Sequence, residues 1–269
     1  MDSIIPIFGT FILTTLKYTI SLFGVFFIFG FILSELQEKT HKAYYDVFGW
    51  KGILFTAWIG TPIHELGHVF FAKIFRHHID QISLFSPNYD TGGLGHVSHS
   101  FNPKSIYQRI GNFFIGAAPL FFGSAVLLIL AIVFFPHSAR SIPSLFGTPD
   151  FFTYITATIS FIQQSHLNYW QWALFLYLSF CVVSHMAPST QDRKNMWDGF
   201  FFLVALVALY AAAMLIARVD GTQFIHTLVT PILDITVPLW TYAFFVCTIH
   251  YLITLLFLRP IGAYKKRRL

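Results

Sequence analysis

The stretch Thr61–Phe70, TPIHELGHVF, places two histidines and a glutamate inside an apolar segment that runs from about residue 53 to residue 75. A segment of roughly 17–25 mostly apolar residues is long enough to cross the hydrocarbon core of a bilayer as a helix. A charged side chain at that depth costs about 2–3 kcal/mol or more, so the polar residues of this segment are expected to have a functional role.

The composition places the whole chain in a membrane. Hydrophobic residues make up 55% of the 269 residues, the mean hydropathy is +0.64, and 11% of the residues are charged. A soluble domain usually carries about 25% charged residues. We therefore predict an all-α integral membrane protein, and the lack of internal repeats or polar linkers predicts a single domain over residues 1–269.

Six apolar segments have the length of a transmembrane helix. They lie at about residues 4–33, 53–75, 110–135, 170–186, 200–217 and 237–258. Between the second and third, the segment from His77 to Ser105 has β-branched and aromatic residues around a DTGG turn. This pattern predicts a small cytoplasmic-side β-hairpin. Residues 136–168 are expected to form an outer connection.

The basic residues follow the ends of the apolar segments, and the only dense cluster, KKRRL, closes the chain. This distribution predicts that both termini are cytoplasmic, with the tail facing lipid phosphates. It argues against a nucleic-acid partner, because no groove-reading or base-stacking motif accompanies the charge. The N-terminal residues lack a basic leader region, which indicates a retained first span. The default location is a bacterial cytoplasmic (inner) membrane.

The spacing of His64 and His68 predicts a metal site. Residues four apart lie on one face of a helix, so both imidazoles can bind one Zn²⁺ at about 2.0–2.1 Å. Glu65 follows the first histidine and is placed to accept a proton from an attacking water molecule. A packed core histidine or a proton-relay glutamate would be the simpler interpretation. The chain has only three glutamates, however, and the HExxH pattern uses one of them.

A catalytic zinc keeps three protein ligands, so a third ligand must come from elsewhere. The segment after the fourth span, SHMAPSTQDRKNMWDGF, offers Asp192 and Asp198. A turn around Pro188 could carry an aspartate inward to the depth of His68, where broken backbone is tolerated if protein surrounds it. Asp198 directly precedes an apolar segment, so it could instead cap the next helix.

Three places in the chain resemble the site-two proteases, which are intramembrane zinc metalloproteases. They are HELGH, the small-residue and proline-containing segment Gly111–Leu130, and the late aspartate segment. The resemblance implies a zinc-dependent metalloendopeptidase that hydrolyses peptide bonds of membrane-bound proteins or peptides. It implies metal ligation by His64, His68 and an aspartate, with Glu65 as the catalytic base.

The aspartate segment departs from that family's pattern of asparagine, proline and then aspartate followed by glycine. Ser184 or His185 stands where the asparagine would be. Asp192 follows Pro188 at close to the family's spacing and is the preferred third ligand. Asp198 keeps the following glycine but lies ten residues after the proline, and it remains the alternative.

Two other functions stay open at this stage. A membrane zinc protein without peptidase activity, such as a sensor or a transporter, would use the same ligands but would not need Glu65. A structural membrane scaffold would bind no stoichiometric metal. His96 and His99 in the hairpin could add a ligand, but polar surface positions beside the hairpin explain them better. His185 lies near the aspartate segment and could orient a ligand as an outer partner. The sequence leaves the substrate and the oligomeric state open.

Overall fold

The structure is a computed structural model that describes residues 4–90, 92–135 and 167–266. Helices dominate it, and one two-stranded antiparallel sheet lies between the second and third helix along the chain. The helices are α1 (Ile4–Phe48), α2 (Trp50–Ile74), α3 (Ile106–Phe134), α4 (Tyr169–Val183), α5 (Thr190–Ala217), α6 (Thr222–Ile253) and, after a π-helical turn at Thr254–Leu258, α7 (Arg259–Lys266). The strands are β1 (His78–Ser83) and β2 (His96–Ser100).

Four helices of the described residues are long and apolar enough to cross a membrane. They cover Pro6–Phe48, Ile106–Phe134, Thr190–Ala217 and Thr222–Gly262. Helix α4 is apolar but shorter, and α2 carries the polar residues of the HELGH stretch. The prediction of a helical membrane protein is thus supported, while the count of six spans stays a prediction. The predicted outer connection covers residues 136–168, and residues 136–166 of it lie outside the described residues.

Helix α1 is longer than the predicted first span. It continues for 15 residues beyond Leu33, through a stretch expected to be a connection, and ends at Phe48. No proline or glycine interrupts residues 34–48, and Glu35 pairs with Lys39 one turn later at 3.5 Å. The break comes at Gly49, whose φ of 62° is readily available only to glycine.

Helices α5 and α6 also begin earlier than predicted. Ser189 caps the N-terminus of α5, so the helix starts ten residues before the predicted residue 200. Helix α6 starts at Thr222 and contains Pro231 and Pro238, which did not end it. Local capping and packing against other helices therefore override the drop in hydropathy that set the predicted boundaries.

Helices α4 and α5 pack one after the other along α3, both antiparallel to it. Phe134 at the end of α3 meets Phe175 of α4 with ring centroids 5.5 Å apart. Near the start of α3, Arg109 forms an ion pair with Asp198 of α5. The irregular segment 184–189 between the two helices faces the middle of α3. The helices of the fourth and fifth predicted spans thus lie one after the other along α3, separated by the irregular segment 184–189.

Helices α1 and α6 meet in the same order along both chains. Lys17 donates to Thr222 near their N-terminal ends, Phe29 packs on Trp240 in the middle, and Tyr44 bonds His250 near their C-terminal ends. The first and last long helices therefore run in the same direction. This order does not support the prediction that both termini lie on one face of the membrane.

The core lies where α1, α3, α5 and α6 meet, and it is largely aromatic. Phe113, Phe26 and Trp240 are 2–5% exposed, and their rings contact one another and further phenylalanines of α1 and α5. The two cysteines, Cys181 and Cys247, are unpaired and buried, as expected for packing residues. This core fixes α3 and α5 against each other on the side of the molecule that carries Asp192.

The predicted hairpin forms and lies along α2. Strands β1 and β2 pair from His78 with Ser100 to Ser83 with His96, with one irregularity between Ile79 and Gln81. Beyond the strands, the loop returns to the start of α2, where Tyr89 packs on Trp50 with ring centroids 5.8 Å apart. The hairpin was predicted at the membrane face; in the structure it follows α2 along its length, because Tyr89 and Gly95 both pack against that helix.

Candidate metal centre

The structure brings His64 and His68 of α2 together with Asp192 in the first turn of α5. Nε2 of His64 lies 3.1 Å from Nε2 of His68 and 3.4 Å from Oδ2 of Asp192. Nε2 of His68 lies 3.2 Å from Oδ1 of Asp192. The three side chains are only 8–14% exposed. Among the described residues, this is the one group of three or more His, Cys, Asp or Glu side chains that could hold a metal ion.

Backbone carbonyls fix both imidazole rings. Nδ1–H of His64 donates to the carbonyl of His185 at 2.6 Å, and Nδ1–H of His68 donates to the carbonyl of Ile115 at 2.8 Å. Since a carbonyl can only accept, each neutral ring keeps its proton on Nδ1 and directs the lone pair of Nε2 into the site. Such outer partners orient metal-binding histidines and raise their basicity.

The carboxylate of Asp192 is held by the start of its own helix. The backbone N–H of Ser189 donates to Oδ2 of Asp192 at 2.7 Å, and the backbone N–H of Asp192 donates to the Ser189 hydroxyl oxygen at 3.2 Å. Gly116 of α3 lets this turn approach closely, because a Cβ there would lie 2.6 Å from the carbonyl oxygen of Asp192. The small-residue segment of α3 therefore packs beside the site.

The group has the chemistry of a cation site. With both rings neutral and protonated on Nδ1, two lone pairs and a carboxylate converge without a hydrogen between them, and such a group is unfavourable without a cation or an added proton. Ligand bonds of about 2.0–2.1 Å in a tetrahedral site put ligand atoms about 3.3 Å apart. The observed separations of 3.1, 3.2 and 3.4 Å agree with that spacing. The three residues can therefore hold a metal ion.

Glu65 lies beside the group and under the hairpin. It is 6% exposed and close enough to interact electrostatically with His64, His68 and Asp192. Gly95 of the hairpin loop covers it, since a Cβ at Gly95 would lie 3.0 Å from Cγ of Glu65. The loop also lines a cavity of about 680 Å³, formed by residues 86–90, Gly93, Gly95 and His96. The cavity therefore lies next to the loop that covers Glu65.

Asp198 is not part of the group. Its carboxylate accepts from Nη2 of Arg109 at 2.6 Å and from Nδ2 of Asn112 at 2.9 Å, so it ties α5 to α3. It does not cap α5 either, because Ser189 does. Asp192 comes together with the histidines because it lies in the first turn of α5, whereas Asp198 lies about 1.7 helical turns further along.

His96, His99 and His185, the other histidines considered from sequence, are not members of the ligand group. Nδ1 of His99 lies 2.9 Å from Nδ1 of His77, and Nε2–H of His77 donates to the carbonyl of Gln108, so this pair fastens the base of the hairpin. His96 is exposed. His185 contacts His64 through its backbone carbonyl, whereas the sequence raised a role for the residue only as a possibility. No sequence signal marks the carbonyls of His185 and Ile115 as partners, because every residue carries such a group.

The histidine pair makes hairpin docking dependent on pH. Burial and the neighbouring His77 lower the pKa of His99 to about 4, and burial also lowers the pKa of His77. A free histidine titrates near 6.5, so the undocked hairpin binds protons more readily between about pH 6.5 and pH 4. Docking is therefore expected to be strongest above pH 6.5 and to weaken as the pH falls towards 4.

Hydrogen exchange of the β2 amides checks this expectation. Protection factors should be lower at pH 5 than at pH 7 in the wild type, and His99→Gln should remove most of the difference. His96→Gln is the matched control, because His96 is exposed, and it should keep the difference. Equal protection factors at both pH values in the wild type would contradict the assignment of the pair.

No protein-family model matches the chain, and no curated protein or solved structure matches it. The resemblance to site-two proteases thus rests on the three sequence segments described above, and the function is argued from the site.

Proposed function

We propose that the protein is an intramembrane zinc metalloprotease that hydrolyses peptide bonds of membrane-associated proteins, as the resemblance to site-two proteases implies. The observation that supports this most is the convergence of His64, His68 and Asp192, with Glu65 adjacent in sequence to His64. Two imidazoles and a carboxylate are a ligand set that zinc favours. Zinc in such a site polarises a carbonyl group and makes water a better nucleophile at neutral pH.

The residues of the site have separate roles in this proposal. His64, His68 and Asp192 hold the metal, and the carbonyls of His185 and Ile115 keep the two rings oriented. Glu65 accepts a proton from the attacking water as the C–O bond forms, and it passes the proton to the amide nitrogen as the C–N bond breaks. The burial of Glu65 under the hairpin limits access of bulk water, which strengthens charge interactions in the site.

We further propose that α2 and α4 lie within the bilayer, which completes six membrane-embedded helices, and that the membrane is the bacterial cytoplasmic membrane. Phe55, Trp58 and Phe70 of α2 are 50–60% exposed, and lipid is a suitable environment for them. Reaction of a cysteine placed at position 70 with a water-soluble thiol reagent in intact membranes would contradict this position of α2.

Metal removal tests the proposed function. The full chain, reconstituted in vesicles with a panel of single-span membrane proteins, should cleave at least one of them. Treatment with a zinc chelator should abolish the cleavage, and equimolar Zn²⁺ should restore it. Mass spectrometry of new N-termini identifies the cleaved bonds. Cleavage that persists in protein verified to be free of metal would contradict the proposal, and so would a metal-loaded protein that cleaves no member of the panel.

A further inference from the structure

We infer that Thr56 is a positioning residue for the metal ligand His64, and that it acts through His185. The inference rests on the proposed metal site and does not need peptide hydrolysis. It concerns one ridge of α2, formed by Thr56, Gly60 and His64, which are spaced four residues apart and so lie on one face of the helix. His185 lies along this ridge and touches all three residues.

The two ends of His185 contact the two ends of the ridge. Its carbonyl oxygen accepts from Nδ1–H of His64 at 2.6 Å. Its ring nitrogen Nε2 lies 3.2 Å from the hydroxyl oxygen of Thr56. Between them, Gly60 leaves the space that the ring occupies, because a Cβ at Gly60 would lie 2.8 Å from Cγ of His185. Thr56 and His185 are each 5% exposed, so water does not compete for the bond between them.

The ring of His185 adds a second anchor to its backbone. Helix α4 ends at Val183; the His185 N–H still donates to the carbonyl of Val182 at 3.1 Å, but the His185 carbonyl lies in the irregular segment 184–189, outside the helix. The ring is held by Thr56 on one side and by the ring of His41 of α1, whose centroid lies 4.9 Å away. Loss of the Thr56 bond therefore frees the residue whose carbonyl sets the orientation of His64, and misoriented ligands bind metal more weakly.

Two substitutions separate positioning from packing. Thr56→Val keeps the shape of the side chain and removes the hydroxyl, whereas Thr56→Ser keeps the hydroxyl and removes a methyl group. The matched control is Thr61→Val on the same helix. Thr61 is 4% exposed, and its hydroxyl has no hydrogen-bond partner within the described residues.

The measurement is Zn²⁺ affinity of the purified full chain, by competition with a chromophoric chelator, together with the visible spectrum of the cobalt(II)-substituted protein. Thr56→Val should weaken Zn²⁺ binding by roughly 10-fold and shift the cobalt(II) bands, because loss of an outer partner costs about 10–100-fold in metal affinity. Thr56→Ser and Thr61→Val should match the wild type. Thermal unfolding of the metal-free proteins shows that each variant folds.

Three results would overturn the inference. Equal affinity and equal spectra for Thr56→Val and the wild type would show that the hydroxyl does not position the ligand. Equal losses in Thr56→Val, Thr56→Ser and Thr61→Val would show a packing effect. A wild-type chain that binds no metal would remove the site itself, and the inference with it. The first two results would overturn the role of Thr56 and leave the proposed function intact. Failure of the inference can therefore be distinguished from failure of the proposed function.

Discussion

Asp192→Ala is expected to lower the zinc affinity of the protein by at least about 100-fold, because loss of outer partners alone costs roughly 10–100-fold. The substitution removes the ligand that α5 supplies and leaves two histidines on one helix. Elemental analysis after purification and titration against a chelator both measure the change. His64→Ala is expected to show a similar loss, since it removes a ligand from α2.

Asp198→Ala is the matched control for this loss. It is expected to keep wild-type zinc content, because Asp198 pairs with Arg109 and Asn112 and lies away from the histidines. The substitution should lower thermal stability modestly, as the ion pair between α3 and α5 is about one-third exposed. Zinc loss in Asp198→Ala together with normal zinc in Asp192→Ala would contradict the assignment of the third ligand.

Glu65→Gln is expected to reduce peptide-bond cleavage by about 10²–10⁴-fold, the usual contribution of a general acid–base group. The amide has the size of the carboxylate but cannot accept the proton. Zinc content should stay at the wild-type value, since Glu65 is not a member of the ligand group. Cleavage of the reconstituted panel measures the loss of activity, and elemental analysis of the same preparation measures the zinc content.

Glu35→Gln is the control for the change of charge, because Glu35 lies on α1 and pairs only locally with Lys39. It should cleave like the wild type. Glu65→Gln also separates the proposed function from its main rival. A zinc sensor or transporter that uses only the three ligands would keep its activity in this variant. Full cleavage by Glu65→Gln would contradict the role assigned to the glutamate.

The two histidines of the candidate metal centre could be predicted because their signal is local. His64 and His68 are four residues apart, and helical geometry alone puts them on one face. Asp192 follows Pro188 at close to the spacing that the resemblance to site-two proteases implies, and this favours it as the third ligand. Sequence could not exclude Asp198, because the partners that hold it, Arg109 and Asn112, belong to a distant helix.

The features that sequence missed depend on contacts between distant segments. The extension of α1 past Leu33 and the early start of α5 follow from capping and packing, which hydropathy does not measure. The path of the hairpin along α2 depends on the contact of Tyr89 with Trp50 and on the absence of a side chain at Gly95. The parallel course of α1 and α6 likewise depends on tertiary contacts. The charge distribution alone predicts that both termini lie on one face of the membrane, which two parallel helices at the ends of the chain do not support.

Zinc anomalous scattering from crystals of the full chain tests the central claim most directly. We expect one peak per chain, within about 2.0–2.2 Å of Nε2 of His64, Nε2 of His68 and a carboxylate oxygen of Asp192. A zinc-loaded crystal with its anomalous peak elsewhere, or with no peak between these three side chains, would contradict the account.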